Sequence, residues 1–161
     1  MHSFGAPNRL HEPREYEDVA DEVRGFLEER IRIAEGRGVS PERIALDPGV
    51  GFSKRAEQSL SALRGLRHLT SLGRPLYIGV SRKSFLGSIT GRPVGDRLAA
   101  GLGATVAAFA LGGRIFRTHD VRETVDALRV AETILRPEPE LEEARRPSDS
   151  GPTQETLEES A

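Results

Sequence analysis

Three short segments group residue types able to hold an anion, a polar heterocycle or a developing charge. They are Asp47-Pro48-Gly49-Val50-Gly51-Phe52-Ser53-Lys54, then Gly79-Val80-Ser81-Arg82-Lys83-Ser84-Phe85, then Arg117-Thr118-His119-Asp120. An acid directly after Leu46 can accept hydrogen bonds from a ligand's N–H groups, and the glycines beyond it allow positive φ and close backbone approach. The competing reading is a Pro-Gly turn in which Asp47 bonds its own backbone. Ser81 and Lys83 are two apart and share a face in extended chain. Ser84, opening a helix, would turn N–H groups towards a carboxylate or phosphate; the alternative is a solvated basic turn with a Ser cap. Arg117 and His119 share a face by the same period, and an Arg fork beside an imidazole at a helix N-terminus suits phosphate. A salt bridge or a capping network through Asp120 would use the same residues. Dinucleotide, P-loop, zinc-protease and EF-hand patterns are absent. His68 lies beside Arg67 in a Leu-rich helix and reads as surface, while His2 has no context in the sequence.

The elements that must position these segments alternate. Helical periodicity covers Glu15 to Glu35, with Val19, Val23, Phe26, Leu27, Ile31 and Ala34 on one side. It recurs over Ala56 to Leu72, over Val94 to Leu111 with Leu98, Leu102, Val106, Phe109 and Ala110 apolar, and over Val121 to Leu135 behind Asp120 as N-cap. Gly101 and Gly103 predict close packing against a sheet. Between the helices, Ile44 to Leu46, Leu76 to Val80, and Ile115 to Phe116 read as short buried strands. Strands alternating with helices predict an α/β fold with a parallel sheet and right-handed βα units. Each chemistry-bearing segment then falls at a strand's carboxyl end, where parallel α/β proteins bind ligands.

Composition narrows the classes further. The chain has 161 residues, 23 basic and 25 acidic side chains, a formal charge of −2 and no cysteine. These numbers exclude a disulfide scaffold, thiolate metal sites and a cysteine nucleophile. They argue against a nucleic-acid partner and fit a cytoplasmic setting without membrane association. Lysine occurs only at 54 and 83 against 21 arginines. An ammonium is not interchangeable with a guanidinium, which draws attention to both positions. From Pro137 to Ala161 the sequence is acidic, with almost no large apolar side chains, and reads as a disordered acidic tail. The domain proper is therefore residues 1–136, with a net charge of +4.

Taken in order, the three segments closely resemble the dihydropteroate synthase family. Met1-His2, Gly5-Ala6-Pro7 and the helix start at Tyr16-Glu17-Asp18-Val19 resemble that family's fifth strand end and the loop after it. The resemblance implies the C-terminal part of a (β/α)8 TIM barrel: about units 6–8 plus the loop and helix after strand 5. It implies a transferase that joins p-aminobenzoate to 6-hydroxymethyl-7,8-dihydropterin pyrophosphate, giving 7,8-dihydropteroate for folate biosynthesis. By motif position Asp47 would hold the pterin's N–H edge. Lys83 would meet the ring's polar edge near the p-aminobenzoate site, and Gly79 would let the backbone lie close to the ring. Phe52 would pack near p-aminobenzoate and Ser84 would meet its carboxylate. Arg117 and His119 would hold pyrophosphate, with Arg117 also covering the pterin, and Met1 would line the pocket. Mg2+ would assist pyrophosphate departure through ligands expected in a missing N-terminal part, with none assigned in this sequence. Thr118 stands where the family usually has Val, and Phe116 where a smaller aliphatic is usual. A complete barrel needs about 250 residues, so the resemblance implies small-molecule substrates plus a missing N-terminal half or a homodimer mate as partners. The isolated fragment is expected to be inactive. Alternatives are a non-catalytic truncated remnant, or a methyltransferase barrel domain that binds a pterin or folate.

Overall fold

The computed structural model describes residues 1–4, 12 and 14–135. Helix α1 spans Val19–Gly36, α2 Ala56–Arg64, α3 Leu66–Leu69, α4 Ser84–Thr90, α5 Leu98–Ala110 and α6 Val121–Leu135. Strand β1 is Leu76–Ile78 and β2 is Gly113–Phe116. Single 3-10 turns occupy Pro41–Arg43, Thr70–Leu72 and Val94–Asp96. The expected tail at 137–161, and Gly5-Ala6-Pro7, lie outside the described residues.

Three expected helices are shorter or divided, each for a local reason. Helix α1 starts at Val19 rather than Glu15 because Asp18 is extended (φ −134°, ψ 117°) and its carboxylate accepts from the Asp21 N–H at 2.9 Å. The run 56–72 breaks at Gly65, where a Cβ would lie 2.7 Å from the Cβ of Ala20. The helix expected from Val94 begins at Leu98, after Gly95 and a non-helical Arg97. Its buried stripe is Gly101, Thr105 and Ala108 rather than the leucines. Small side chains let α5 approach the sheet end, where the site of a Cβ on Gly101 lies 4.0 Å from the Cα of Ser81. Gly103 is exposed and meets nothing, contrary to expectation.

Strands β1 and β2 are parallel, pairing Leu76 with Gly113, Tyr77 with Ile115 and Ile78 with Phe116, with one irregularity after Leu76. The strand expected at 44–46 is reduced to a parallel bridge between Leu46 and Leu76. The Tyr77 N–H donates to Leu46 at 2.7 Å, and the His2 N–H donates to the Asp47 carbonyl at 2.8 Å. The order across the arc is thus residue 2, residues 46–47, β1, β2. Its helix-facing side, Leu46, Leu76, Ile78 and Val80, packs with Val23, Leu27, Leu66, Leu69 and Phe85 into one core. Beyond β2 no further strand pairs among the described residues. There Ile115, Val121 and Val125 are exposed and border one groove.

Candidate active site

Parallel pairing puts Asp47, Gly79 to Lys83, and Arg117 to His119 at the same end of the arc. The 47–54 loop leaves Leu46 and doubles back through two left-handed glycines, Gly49 (φ +69°) and Gly51 (φ +75°). Asp47 accepts from the Gly49 N–H at 2.7 Å, and the Gly51 N–H donates to Ser59 at 3.2 Å. The self-bonding turn and a ligand-holding acid are therefore not alternatives, since only one carboxylate oxygen closes the turn. Phe52 follows Gly51 in the loop, and the Lys83 ammonium lies 4.1 Å from the centre of its ring. The Lys83 chain also fills the space where a Gly51 side chain would stand, 3.2 Å from the Cβ position. Burial pushes the Asp47 carboxyl above the usual carboxylate range, opposed by the Gly49 N–H and the Lys83 charge. Burial also pushes the Lys83 ammonium down, with Asp47 opposing. The loop thus offers an acceptor held towards neutrality and a cation over an aromatic face, a pair suited to the N–H and carbonyl edges of a flat heterocycle.

The second segment does not stay extended. Arg82 takes a left-handed φ of +59°, which turns Ser81 and Lys83 apart. Ser81 turns to His119, with Oγ 2.9 Å from Nδ1 and 3.3 Å from the His119 N–H. Arg82 instead bonds Asp120 at 2.8 Å. The turn is held from below by Arg97, absent from the expectations, which donates to the carbonyls of Arg82 and Lys83 at 3.2 Å each and of Arg92 at 2.9 Å. Arg117 is fastened through its N–H to Ile78 at 2.9 Å, and its side chain is exposed. Its Cβ lies 3.9 Å from where a Gly79 side chain would begin. Ser84 is the first residue of α4 and is exposed. Met1 is half exposed beside the Asp47 end, joined to it by the His2 bond.

Of the expected residues, Phe52 and Lys83 meet directly and Asp47 is close enough to Lys83 for their charges to interact, while Gly79 and, from the next strand end, Arg117 and His119 stand at the same end of the arc. Ser84 and Met1 flank this group without bonding to it. His2 and Lys54 are a buried pair that the sequence reading did not connect, although the scarcity of lysine marked Lys54. Among the described residues no three His, Asp or Glu side chains cluster in a way that could hold a metal ion. The described residues therefore do not form a site for the magnesium implied by the resemblance, whose ligands are expected outside this sequence. No helix among them is long and apolar enough to cross a membrane.

A family model described as "Pterin binding enzyme" matches residues 1–119. The chain belongs to the pterin-binding enzyme family. It is 42% identical over 137 residues to a dihydropteroate synthase of Synechocystis, covering 84% of this chain and 47% of that protein. The Escherichia coli dihydropteroate synthase is 38% identical over 135 residues, covering 84% and 48%. The solved dihydropteroate synthase of Xanthomonas albilineans in complex with 7,8-dihydropteroate superimposes with a TM-score of 0.75 at 40% identity, covering 79% of this chain and 50% of that one. That of Stenotrophomonas maltophilia gives 0.80 at 37%, covering 83% and 51%. The chain thus spans about half the length of the pterin-binding relatives it matches.

Proposed function

We propose that this chain is the carboxyl-side part of a dihydropteroate synthase, comprising about units 6–8 of a (β/α)8 barrel with the loop and helix after strand 5. The Lys83 ammonium over the Phe52 ring, close enough to Asp47 for their charges to interact, carries the reading. In it, Asp47 holds the N–H edge of 6-hydroxymethyl-7,8-dihydropterin pyrophosphate and Lys83 the polar edge of the same ring. Gly79 leaves room for the ring, and Arg117 covers it. Departure of pyrophosphate leaves a cationic methylene, so the leaving group's charge must be stabilised. Arg117 and His119 serve this, with His119 oriented by Ser81. The amine of p-aminobenzoate, packed near Phe52 with its carboxylate towards Ser84 and Met1 lining the pocket, then attacks the methylene carbon. Binding in register does the work, and no enzyme nucleophile is required.

The open edge beside β2, with Ile115, Val121 and Val125 exposed, supports a partner surface that the remaining barrel units cover. Those units would supply the magnesium ligands. The 161 residues alone would then make no dihydropteroate. The test is co-purification with the amino-terminal half of the Synechocystis relative, followed by a product assay with both substrates and Mg2+. Product from the pair and none from either part is expected. Product from the isolated chain overturns the half-site reading. A stable, pterin-saturated pair without product, in which restoring the relative's own carboxyl half revives activity, marks a non-catalytic remnant.

A further inference from the structure

Lys54 is a buried cation that the proposed chemistry leaves unused. The residue is 7% exposed. Its ammonium lies 2.7 Å from His2 Nδ1 and donates to the carbonyls of Gly49 and Phe52, each at 3.2 Å. All three of its protons are thereby directed, and none goes to a carboxylate. The Tyr16 ring lies 5.7 Å away. His2 is fully buried, edge-on to Phe4 and Phe26 with ring centres 4.9 Å apart in both cases. Its own N–H holds the Asp47 carbonyl at 2.8 Å. The pair therefore grips the loop at residues 47, 49 and 52, at both ends of the stretch that carries the acid and the ring.

A buried ammonium without a bonded carboxylate is an expensive way to stabilise a fold. Burial lowers Lys54 to about 8 and His2 to about 3, so at neutral pH the imidazole is neutral; accepting from the ammonium at Nδ1 then leaves its proton on Nε2, which is buried without a hydrogen-bond partner. What the arrangement supplies is direction. Without the ammonium the Gly49 and Phe52 carbonyls lose the group that draws them together, and two left-handed glycines leave the loop other paths. We propose that Lys54 is a positioning residue which, through His2 and these two carbonyls, fixes the Asp47–Phe52 loop so that the acid meets the pterin, and the ring the p-aminobenzoate, in register with Lys83. The ligand part of this rests on the reading of the site as a pterin site; the loop part does not.

The test uses the full chain and three variants, each alone for amide exchange and paired with the amino-terminal half of the Synechocystis relative for pterin binding. In Lys54→Met, exchange of the Gly49, Gly51 and Phe52 amides is expected to rise about tenfold or more relative to α5 amides in the same sample. Asparagine offers an oxygen where Nδ1 stood and leucine does not. His2→Asn should therefore keep loop exchange and the dissociation constant for 6-hydroxymethyl-7,8-dihydropterin at least about threefold closer to the unmodified chain than His2→Leu does. Imidazole nitrogen shifts should report the Nε2–H tautomer in the unmodified chain and lose that preference in Lys54→Met. Unchanged loop exchange in Lys54→Met overturns the proposal, as does equality of the two His2 variants. Should Lys54→Met fail to fold, the His2 pair decides alone. An unmodified chain that binds no pterin even when paired with the amino-terminal half of the Synechocystis relative, yet shows the exchange contrast, refutes the site reading and leaves the loop latch standing.

Discussion

Gly49→Ala separates steric closeness from backbone conformation at the centre of the site. Gly49 and Gly73 have nearly the same left-handed φ, +69° and +67°. An alanine at either position bears the left-handed penalty of about 1–2 kcal/mol. At Gly73 nothing lies within 4 Å of the new methyl. At Gly49 the methyl would run into the carbonyl oxygen of His2, with the carbonyl carbon 2.9 Å away. That neighbour is backbone, tied to Asp47 through the His2 N–H, so it cannot swing aside as a side-chain tip would. Forcing a methylene-sized group into such a contact costs a further ~1–3 kcal/mol. Gly49→Ala should therefore lose about 2 kcal/mol more than Gly73→Ala. Urea unfolding followed by circular dichroism, with both variants and the unmodified chain at the same pH, measures the difference. Equal losses would mean that residues 1–4 do not pack against the loop as described, and the Lys54–His2 grip would fall with them.

Gly87→Ala would push its methyl into the Arg97 guanidinium, whose Cζ would be 2.6 Å away, and dislodge the fork that holds the Arg82 and Lys83 carbonyls. Pterin affinity measured by calorimetry in the complemented enzyme should fall about tenfold, and an unchanged affinity would remove Arg97 from the support of Lys83. Lys83→Ala in the complete enzyme should sharply reduce turnover, and unchanged kinetics would sink its assigned role. His2 is held at about 3, below its ordinary 6.5, so between these values the unfolded chain binds more protons and stability rises with pH. Asp47, with its carboxyl raised, contributes in the opposite sense, so the measurement is a difference. Unfolding free energy from pH 3 to 6.5 should climb about 4 kcal/mol more steeply in the unmodified chain than in His2→Asn. Parallel curves would show that His2 is not buried. Lys54, held at about 8, makes stability rise again from pH 8 to its ordinary 10.5, and Lys54→Met should flatten that second rise.

What could be read from the sequence was local. The order of helices and strands, the three strand ends and the family resemblance all rest on runs of a few residues whose period or punctuation is visible in place. The misreadings came where tertiary spacing overrode the pattern. The leucines of α5 look like its core face, yet the sheet admits only Gly101, Thr105 and Ala108. The face-sharing of Ser81 and Lys83 assumed extended chain, whereas Arg82 is left-handed and sends one to His119 and the other to Phe52.

The contacts that hold the candidate site in shape could not be read in this way, because each joins distant positions. His2 meets Lys54 across 52 residues, Ser81 meets His119 across 38, and Arg97 reaches back 14 to the carbonyl of Lys83. Lysine's rarity did mark Lys54, but residue type alone cannot separate a cation that meets a ligand from one that shapes the loop beside it. Geometry separates them. The Lys83 ammonium lies over an aromatic face with a half-exposed side chain, while that of Lys54 has all three protons turned on neutral acceptors inside the fold. The two lysines therefore act at one loop from opposite sides, Lys54 setting its path and Lys83 reading the surface that results.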